Sequence, residues 1–427
     1  MLDLFCGAGG LSQGFRSAGF EIIGGADYDP DASASFAANF PAADSIHGDI
    51  RKKPIRERID QLADDSDVII GGPPCQAFSQ VRNHSRIIQD PRNSLYREFV
   101  DVVKHAAPMA FVMENVPGLD QMGVKEQVLD DLSVEGEYVV RAQLLDAVDF
   151  GVPQTRKRLL FLGVRRDLRI APPVLVGSGA SAAISLRREF RQAGVRYAVT
   201  AGDGLFDRSL FERLMDPEDS SLVNAEQALS DLSCLRVGSR DEKLHGSRLP
   251  DPVSAYQRLM RTKNGDTLSN VSVPRINDDT RLRLHHLPAG GNFRDLSEAL
   301  AVRYVTGQKW GPHNGTGQLG RVHYSAYRKL HPHFWSWTLN TKADSVYHYR
   351  GQRALSVREF ARLQSFPDAF AFTTDARRGE LAGRMDGGPA HSRYRQVGNA
   401  VPPLLARAVA TEFTKLLRRT HPRSKTA

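Results

Sequence analysis

Apolar residues in the first 170 positions fall in short runs, each closed by glycines, prolines or an acid. Residues 2–5 (Leu-Asp-Leu-Phe) read as a strand, and Cys6-Gly7-Ala8-Gly9-Gly10 as a glycine turn. Leu11, Gly14, Phe15 and Ala18 then recur at helical spacing. A second strand is expected over 21–26 and ends in Asp27-Tyr28-Asp29, with a helix over 32–40 capped by Asp29. Gly48-Asp49-Ile50 reads as a further acid at a strand end. Residues 67–70 and 109–113 form buried strands, separated by a helix over 93–107 that carries Leu95, Phe99, Val102 and Ala106 on one face and stops at Pro108. Residues 138–145 and 158–164 suit an antiparallel pair.

Beyond residue 165 the pattern loosens. Residues 177–184 are small, 224–232 suggest a short helix, and 287–296 are rich in turn residues. Residues 304–349 mix Gly, His, Lys, Arg, Tyr and Trp, which suits a nucleic-acid surface and equally an irregular β-rich domain. Order returns at Ser356-Val357-Arg358-Glu359, a capping box whose helix buries Val357, Phe360 and Leu363 and ends at Pro367. Residues 396–403 open a last helix through Ala406, Val409, Ala410 and Phe413. Strands alternating with helices predict an α/β fold. The 427-residue length suggests two domains.

Composition narrows this picture a little. Hydrophobic residues make up 41% and charged residues 25%, values of a globular chain, and no apolar run reaches membrane-spanning length. The chain opens directly in motif-like sequence, without a secretory signal pattern. Cys6, Cys75 and Cys234 are too far apart for a disulfide framework or a zinc cluster and suit a reducing cytosol. The net charge of +8 permits a polyanionic partner without requiring one.

The chemistry concentrates at strand ends. Gly7 and Gly9 allow a ligand to approach the backbone and the first helix's N-terminus. Asp27, about 20 residues beyond that turn, suits a ribose hydroxyl pair. Once Asp29 is taken as a cap, Asp27 is left for the ligand. No arginine for a 2′-phosphate and no Walker Lys-Ser/Thr pair accompanies it. Gly71-Gly72-Pro73-Pro74 breaks the chain after the 67–70 strand and puts Cys75, a candidate nucleophile, on a stiff loop. Glu114 follows the 109–113 strand and so shares a sheet rim with Cys75. Residues 80–92 form a polar loop, with Arg82, Arg86 and Arg92 able to meet phosphates. Gln154-Thr155-Arg156-Lys157-Arg158 is a dense basic stretch beside a strand.

Together these blocks resemble the cytosine-5 DNA methyltransferase family of bacterial restriction-modification type. The matching stretches are 3–10 (Asp-Leu-Phe-Cys-Gly-Ala-Gly-Gly), 27–29, 48–50, 72–79 (Gly-Pro-Pro-Cys-Gln-Ala-Phe-Ser), 114–116, 154–158, 362–367 and 396–399, in the family's order. Residues 287–296 and Ser336-Trp337-Thr338-Leu339 resemble family patterns too, although Trp337 stands where many members carry Pro. The first strand starts within one or two residues of the chain's beginning and is expected to be short.

The resemblance implies a Rossmann-like S-adenosylmethionine-dependent methyltransferase sheet and a smaller, irregular β-rich target-recognition domain. The implied division is 1–168 for catalysis and cofactor, 169–390 for the small domain with its recognition core at 245–348, 391–418 returning to the first domain, and a basic tail, 419–427. It further implies Cys75 as nucleophile on a flipped cytosine, Glu114 at the ring nitrogen, and Arg156 and Arg158 holding base and phosphate. S-adenosyl-L-methionine is expected against Phe5, Gly7, Gly9, Asp27, Tyr28, Asp49, Ile50, Pro74, Asn399 and Ala400, with no metal. The expected setting is a bacterial cytoplasm, at the nucleoid. Double-stranded DNA is the expected partner, bound by a monomer, with a pairing to a restriction endonuclease and no membrane. A tRNA cytosine-5 methyltransferase of the same fold and a catalytically silent DNA-binding module remain alternatives. Amino-methyltransferases are disfavoured, because they carry an aromatic residue where Cys75 follows the proline pair.

Overall fold

The computed structural model describes residues 1–74, 95–121, 124–181, 222–238, 242–261, 267–297, 299–300, 327–375 and 388–420. Cys75, the polar loop with Arg82, Arg86 and Arg92, residues 182–184, residues 304–326 of the 304–349 stretch and the tail from 421 lie outside the described residues.

Seven strands form one sheet in the order β3-β2-β1-β4-β5-β7-β6. They are β1 (Leu2–Leu4), β2 (Gly24–Asp27), β3 (Asp44–His47), β4 (Val68–Gly71), β5 (Ala110–Asn115), β6 (Tyr138–Asp146) and β7 (Lys157–Arg165). β7 runs antiparallel to both β5 and β6, and the other pairings are parallel. The expected antiparallel pair is therefore present. The expected strand over 21–26 begins later, at Gly24, and takes in Asp27.

Both faces of the sheet are covered, which is why β4 reads as an unbroken apolar run. Helices α1 (Gly10–Ser17) and α2 (Pro30–Asn39) and the C-terminal helix Pro403–Thr420 share one apolar cluster through Phe15, Phe36, Val409 and Phe413. Helices α3 (Lys53–Asp64), α4 (Leu95–Ala106) and α6 (Lys125–Leu132) cover the other face with Ile59, Phe99, Val102 and Val128. A single turn, α5 (Gly118–Gln121), follows β5. Gly14 allows α1 to lie directly on the C-terminal helix, since a Cβ there would stand 2.3 Å from the Ala406 Cβ.

Leu355, Phe360, Leu363, Phe366 and Phe370 pack into the same cluster as α1 and α2. Residues 355–370, expected in the small domain, thus help to build the core under the sheet. A separate small core unites Leu284, Leu287, Phe293, Leu296, Tyr327 and Tyr347. A two-stranded sheet of β8 (Lys243–His245) and β9 (Thr267–Ser269) packs Leu244 and Leu268 against the main cluster. Among the described residues no helix is long and apolar enough to cross a membrane.

Candidate active site

The strand order reverses between β1 and β4, and in open α/β sheets the crevice beyond that point takes the ligand. Here it opens into a cavity of about 840 Å³. The turn after β1 forms one wall. Phe5 and Gly7 take the left-handed conformation at φ 56° and 55°, and Gly9 precedes α1 at φ 96°. For a phenylalanine this is a strained backbone held by its surroundings. Phe5 and Gly7 line the cavity, and Gly9 stands behind them against Phe36 and Phe40.

Asp27 ends β2 with both carboxylate oxygens engaged. Oδ2 accepts from Gly7 N and Oδ1 from Asp29 N, each at 2.8 Å. Asp27 is therefore not left free, as the capping argument expected, although a carboxylate has lone pairs for further donors. Burial pushes its pKa up, and the two backbone donors counter this. Asp29 caps α2, accepting from Asp31 N at 2.9 Å and Ala32 N at 3.3 Å. Between them Tyr28 is 74% exposed, with its ring at the cavity. Asp49 and Ile50 lie alongside, and Arg51 grips Asp49 through Nε at 2.9 Å and Nη2 at 2.8 Å, holding its carboxyl below the usual range.

The far wall belongs to β4, β5 and the start of β7. Pro74, at the edge of the described residues, lines it. The Glu114 Oε1 meets Arg158 Nε at 2.5 Å, and both side chains are nearly buried. A Cβ on Gly72 would sit 3.0 Å from Glu114 Oε2, so the chain leading to Cys75 passes directly over this carboxylate. Arg156 is placed differently. Its Nη1 donates to Leu339 O at 3.1 Å and its Nη2 to Gly398 O at 2.6 Å. It is 2% exposed, and burial beside Arg158 pushes its pKa down. Its neighbour Gln154 accepts from Leu339 N at 2.9 Å and donates to Leu363 O at 3.1 Å. The basic block thus splits into one residue at the carboxylate and two that staple distant chain segments together.

Helix Gly388–Asn399 brings Asn399 and Ala400 to the cavity. The approach is close: a Cβ on Gly398 would stand 2.1 Å from Asn340 O, so only glycine fits. Two features escaped the sequence reading. Arg395, one helical turn before Asn399, also faces the cavity and pairs with Asp29 at 2.6 Å; the i, i+4 spacing back from Asn399 was the available signal. Asp3 lines the floor, where its Oδ2 accepts from Ser12 Oγ at 2.5 Å while buried Oδ1 has no partner. Cys6, also at the floor, is buried, and burial together with Asp27 and Asp3 raises its thiol well above the ordinary range. Among the described residues no group of His, Cys, Asp and Glu could hold a metal ion.

The chain has known relatives. A family model described as C-5 cytosine-specific DNA methylase matches residues 1–207 and 241–415. The Type II methyltransferase M.AgeI of Thalassovita gelatinovora is 32% identical, with 96% of this chain and 97% of its own length covered. The Type II methyltransferase M.DdeI of Desulfomicrobium norvegicum is 31% identical, covering 97% of this chain and 88% of its own. A solved chain described as a DNA modification methyltransferase encoded within an E. coli prophage shares the fold at a TM-score of 0.63. It is 23% identical, with 98% of this chain and 99% of that one aligned. The chain belongs to the C-5 cytosine-specific DNA methylase family.

Proposed function

We propose that the protein moves the methyl group of S-adenosyl-L-methionine to carbon-5 of a cytosine flipped out of duplex DNA, and that it protects host DNA beside a restriction endonuclease, as its relatives' Type II names suggest. The observation that carries this is the nearly buried Glu114–Arg158 pair at the rim, with the chain toward Cys75 passing over it.

The cavity suits the cofactor. Tyr28 offers an exposed ring, Asp27 a carboxylate fixed by two backbone amides, and Asp3 a buried oxygen without a partner. Phe5, Asp49, Ile50, Pro74, Asn399 and Ala400 would complete the lining. When bound, the cofactor supplies an electrophilic methyl group.

The chain's own groups supply the rest. The Cys75 thiolate adds to carbon-6 of the cytosine, and the C5–C6 double-bond pair becomes available at carbon-5. Glu114 shares a proton with ring N3, where negative charge gathers. Arg158 pairs its charge with the Glu114 carboxyl, Nε to Oε1 at 2.5 Å. Arg156 shapes this wall indirectly, because its hydrogen bonds hold residues 339 and 398 in place. Once carbon-5 is methylated, a solvent water takes its proton, the C–H electron pair re-forms the C5–C6 double bond, and the C6–S bond breaks to release the Cys75 thiolate.

A duplex with 5-fluorocytosine at the target tests this, because fluorine does not leave as a cation and the adduct persists. Wild type should give a cofactor-dependent shifted band on a denaturing gel, and Cys75→Ser none. Glu114→Gln should slow turnover roughly 10²–10⁴-fold. A wild type that forms no band, or that methylates tRNA in place of duplex DNA, would sink the proposal.

A further inference from the structure

Residues 371–375 have their backbone satisfied by side chains instead of a neighbouring strand. Ala371 N donates to Asn39 Oδ1 at 2.9 Å, and Ala371 O accepts from Asn39 Nδ2 at 2.7 Å. Thr373 N donates to Ser35 Oγ at 2.8 Å, and Asp375 N to Asp31 Oδ1 at 2.8 Å. On the opposite edge Phe372 N donates to Asn270 Oδ1 at 2.9 Å, and Phe372 O accepts from Asn270 Nδ2 at 2.8 Å. Alternation of this kind marks an extended strap. Residues 31, 35 and 39 are four apart on α2, a rise of about 6 Å. Residues 371, 373 and 375 are two apart, about 6.6 Å in an extended chain. The two repeats match, so one stripe of α2 holds one edge of the strap in register.

Helix Gly388–Asn399 closes the arrangement. Ser392 Oγ donates to Asp31 Oδ2 at 2.6 Å, Gln396 Nε2 to Thr373 O at 2.8 Å, and Ser35 Oγ to Gln396 Oε1 at 2.6 Å. Asp31, Ser35, Ser392 and Gln396 are all buried. Asn399 and Ala400 follow Gln396 by three and four residues, Tyr28 and Asp27 precede Asp31 by three and four, and all four line the cavity. Apolar side chains would pack α2 against this helix equally well. A fully satisfied polar network adds a single fixed register.

We infer that the 371–375 strap, with Ser35 and Asn39 as positioning residues, sets how the Asp27–Tyr28 and Asn399–Ala400 linings of the cavity stand relative to each other and thereby the affinity for the adenosyl cofactor. This rests on the reading that S-adenosylmethionine occupies the cavity. Neither Ser35 nor Asn39 lines it; Ser35 meets Gln396 directly, and Asn39 holds the strap at Ala371.

The test uses the full-length protein with Ser35→Ala and Asn39→Ala, singly and combined. Calorimetry gives the S-adenosylmethionine Kd, thermal unfolding gives Tm, and kinetics separate the cofactor KM from the DNA KM. Each single variant should raise the cofactor Kd and KM about three- to tenfold, the worth of one or two buried hydrogen bonds. The DNA KM and the kcat at saturating cofactor should stay within about twofold. A lower Tm with an unchanged cofactor Kd would make the strap mere packing and overturn the inference. So would equal rises in both KM values. Wild type that fails to bind S-adenosylmethionine sinks the reading of the cavity and the clamp with it, whereas a binding wild type matched by its variants sinks the clamp alone. Asn39 is partly exposed, so Asn39→Ala carries the test if the Ser35 variants fail to fold.

Discussion

Burial pushes the Asp3 carboxyl up to about 7, against Ser12's hydrogen bond, which lowers it. An unfolded aspartate titrates near 3.9. Between about 4 and 7 the folded chain thus holds a proton that the unfolded chain has released. Stability from this group falls as pH rises across that window and levels off above it. Asp3→Asn keeps the acceptor for Ser12 and removes the titration. Urea unfolding at pH 5 and pH 8 should show the variant gaining on wild type at the higher pH; parallel losses in both would remove Asp3 as the cause. The sequence made Glu114 and Asp27 readable because each acid closes an apolar run. Asp3 was harder to read as a site residue, since a polar residue inside a short strand ordinarily suggests a solvated face, and only the covered sheet makes it buried. Arg156 and Arg158 were given one role because charge does not tell direction. Arg158 meets a carboxylate and Arg156 two carbonyls, a difference fixed by segments 183 and 242 residues away.

Elements were legible where apolar spacing was clean. α4, the β6–β7 pair, the short helix after Asn224 and the capping box at Ser356 are present. α3 was missed because its buried stripe is little more than Ile59 and Ala63 among Lys, Arg, Asp and Glu. α6 was missed for a related reason: Val128 and Leu132 are its only buried positions. The α1 helix shows the reverse case, in which an apparent defect is the device. Glycine inside a helix costs about 1 kcal/mol relative to alanine. At Gly14 that cost is offset by contact, because a Cβ would meet Arg407 N and Pro403 O at 2.6 Å, both rigid backbone. Gly14→Val should therefore destabilise the protein by about 1–3 kcal/mol through overpacking. The chevron or urea midpoint should fall with the m-value unchanged. A neutral or stabilised variant would show that the two helices part easily and that their contact does not set the core.

At the scale of the molecule, the catalytic rim and the segment expected to read DNA are interleaved. Thr338, Leu339, Asn340 and Thr341 line the cavity, and Thr155 N donates to Ser336 O at 3.0 Å. Residues 336–341, although inside the 245–348 stretch expected to carry recognition, thus also serve the wall that Arg156 and Gln154 hold. Asn270 likewise serves the strap. What remains between them is the small core around Leu284, Leu287 and Phe293, built apart from the sheet. Under the proposed function the catalytic wall has a generic task, to hold a cofactor and one extruded base, and that task does not identify neighbouring base pairs. Reading those requires donors and acceptors presented to base edges in the major groove, and phosphate contacts add affinity without sequence information. Sequence choice should therefore travel with residues 274–334 alone. Grafting them into a family member of known specificity, with the host keeping its own counterparts of 270 and 336–341, should give an enzyme that methylates this protein's target site. Bisulfite sequencing of plasmid from an unmethylated host reads the outcome. An active chimaera that still marks its host's site would place recognition elsewhere. A chimaera that is active only with the longer 245–348 graft would show that the wall and the reader cannot be separated.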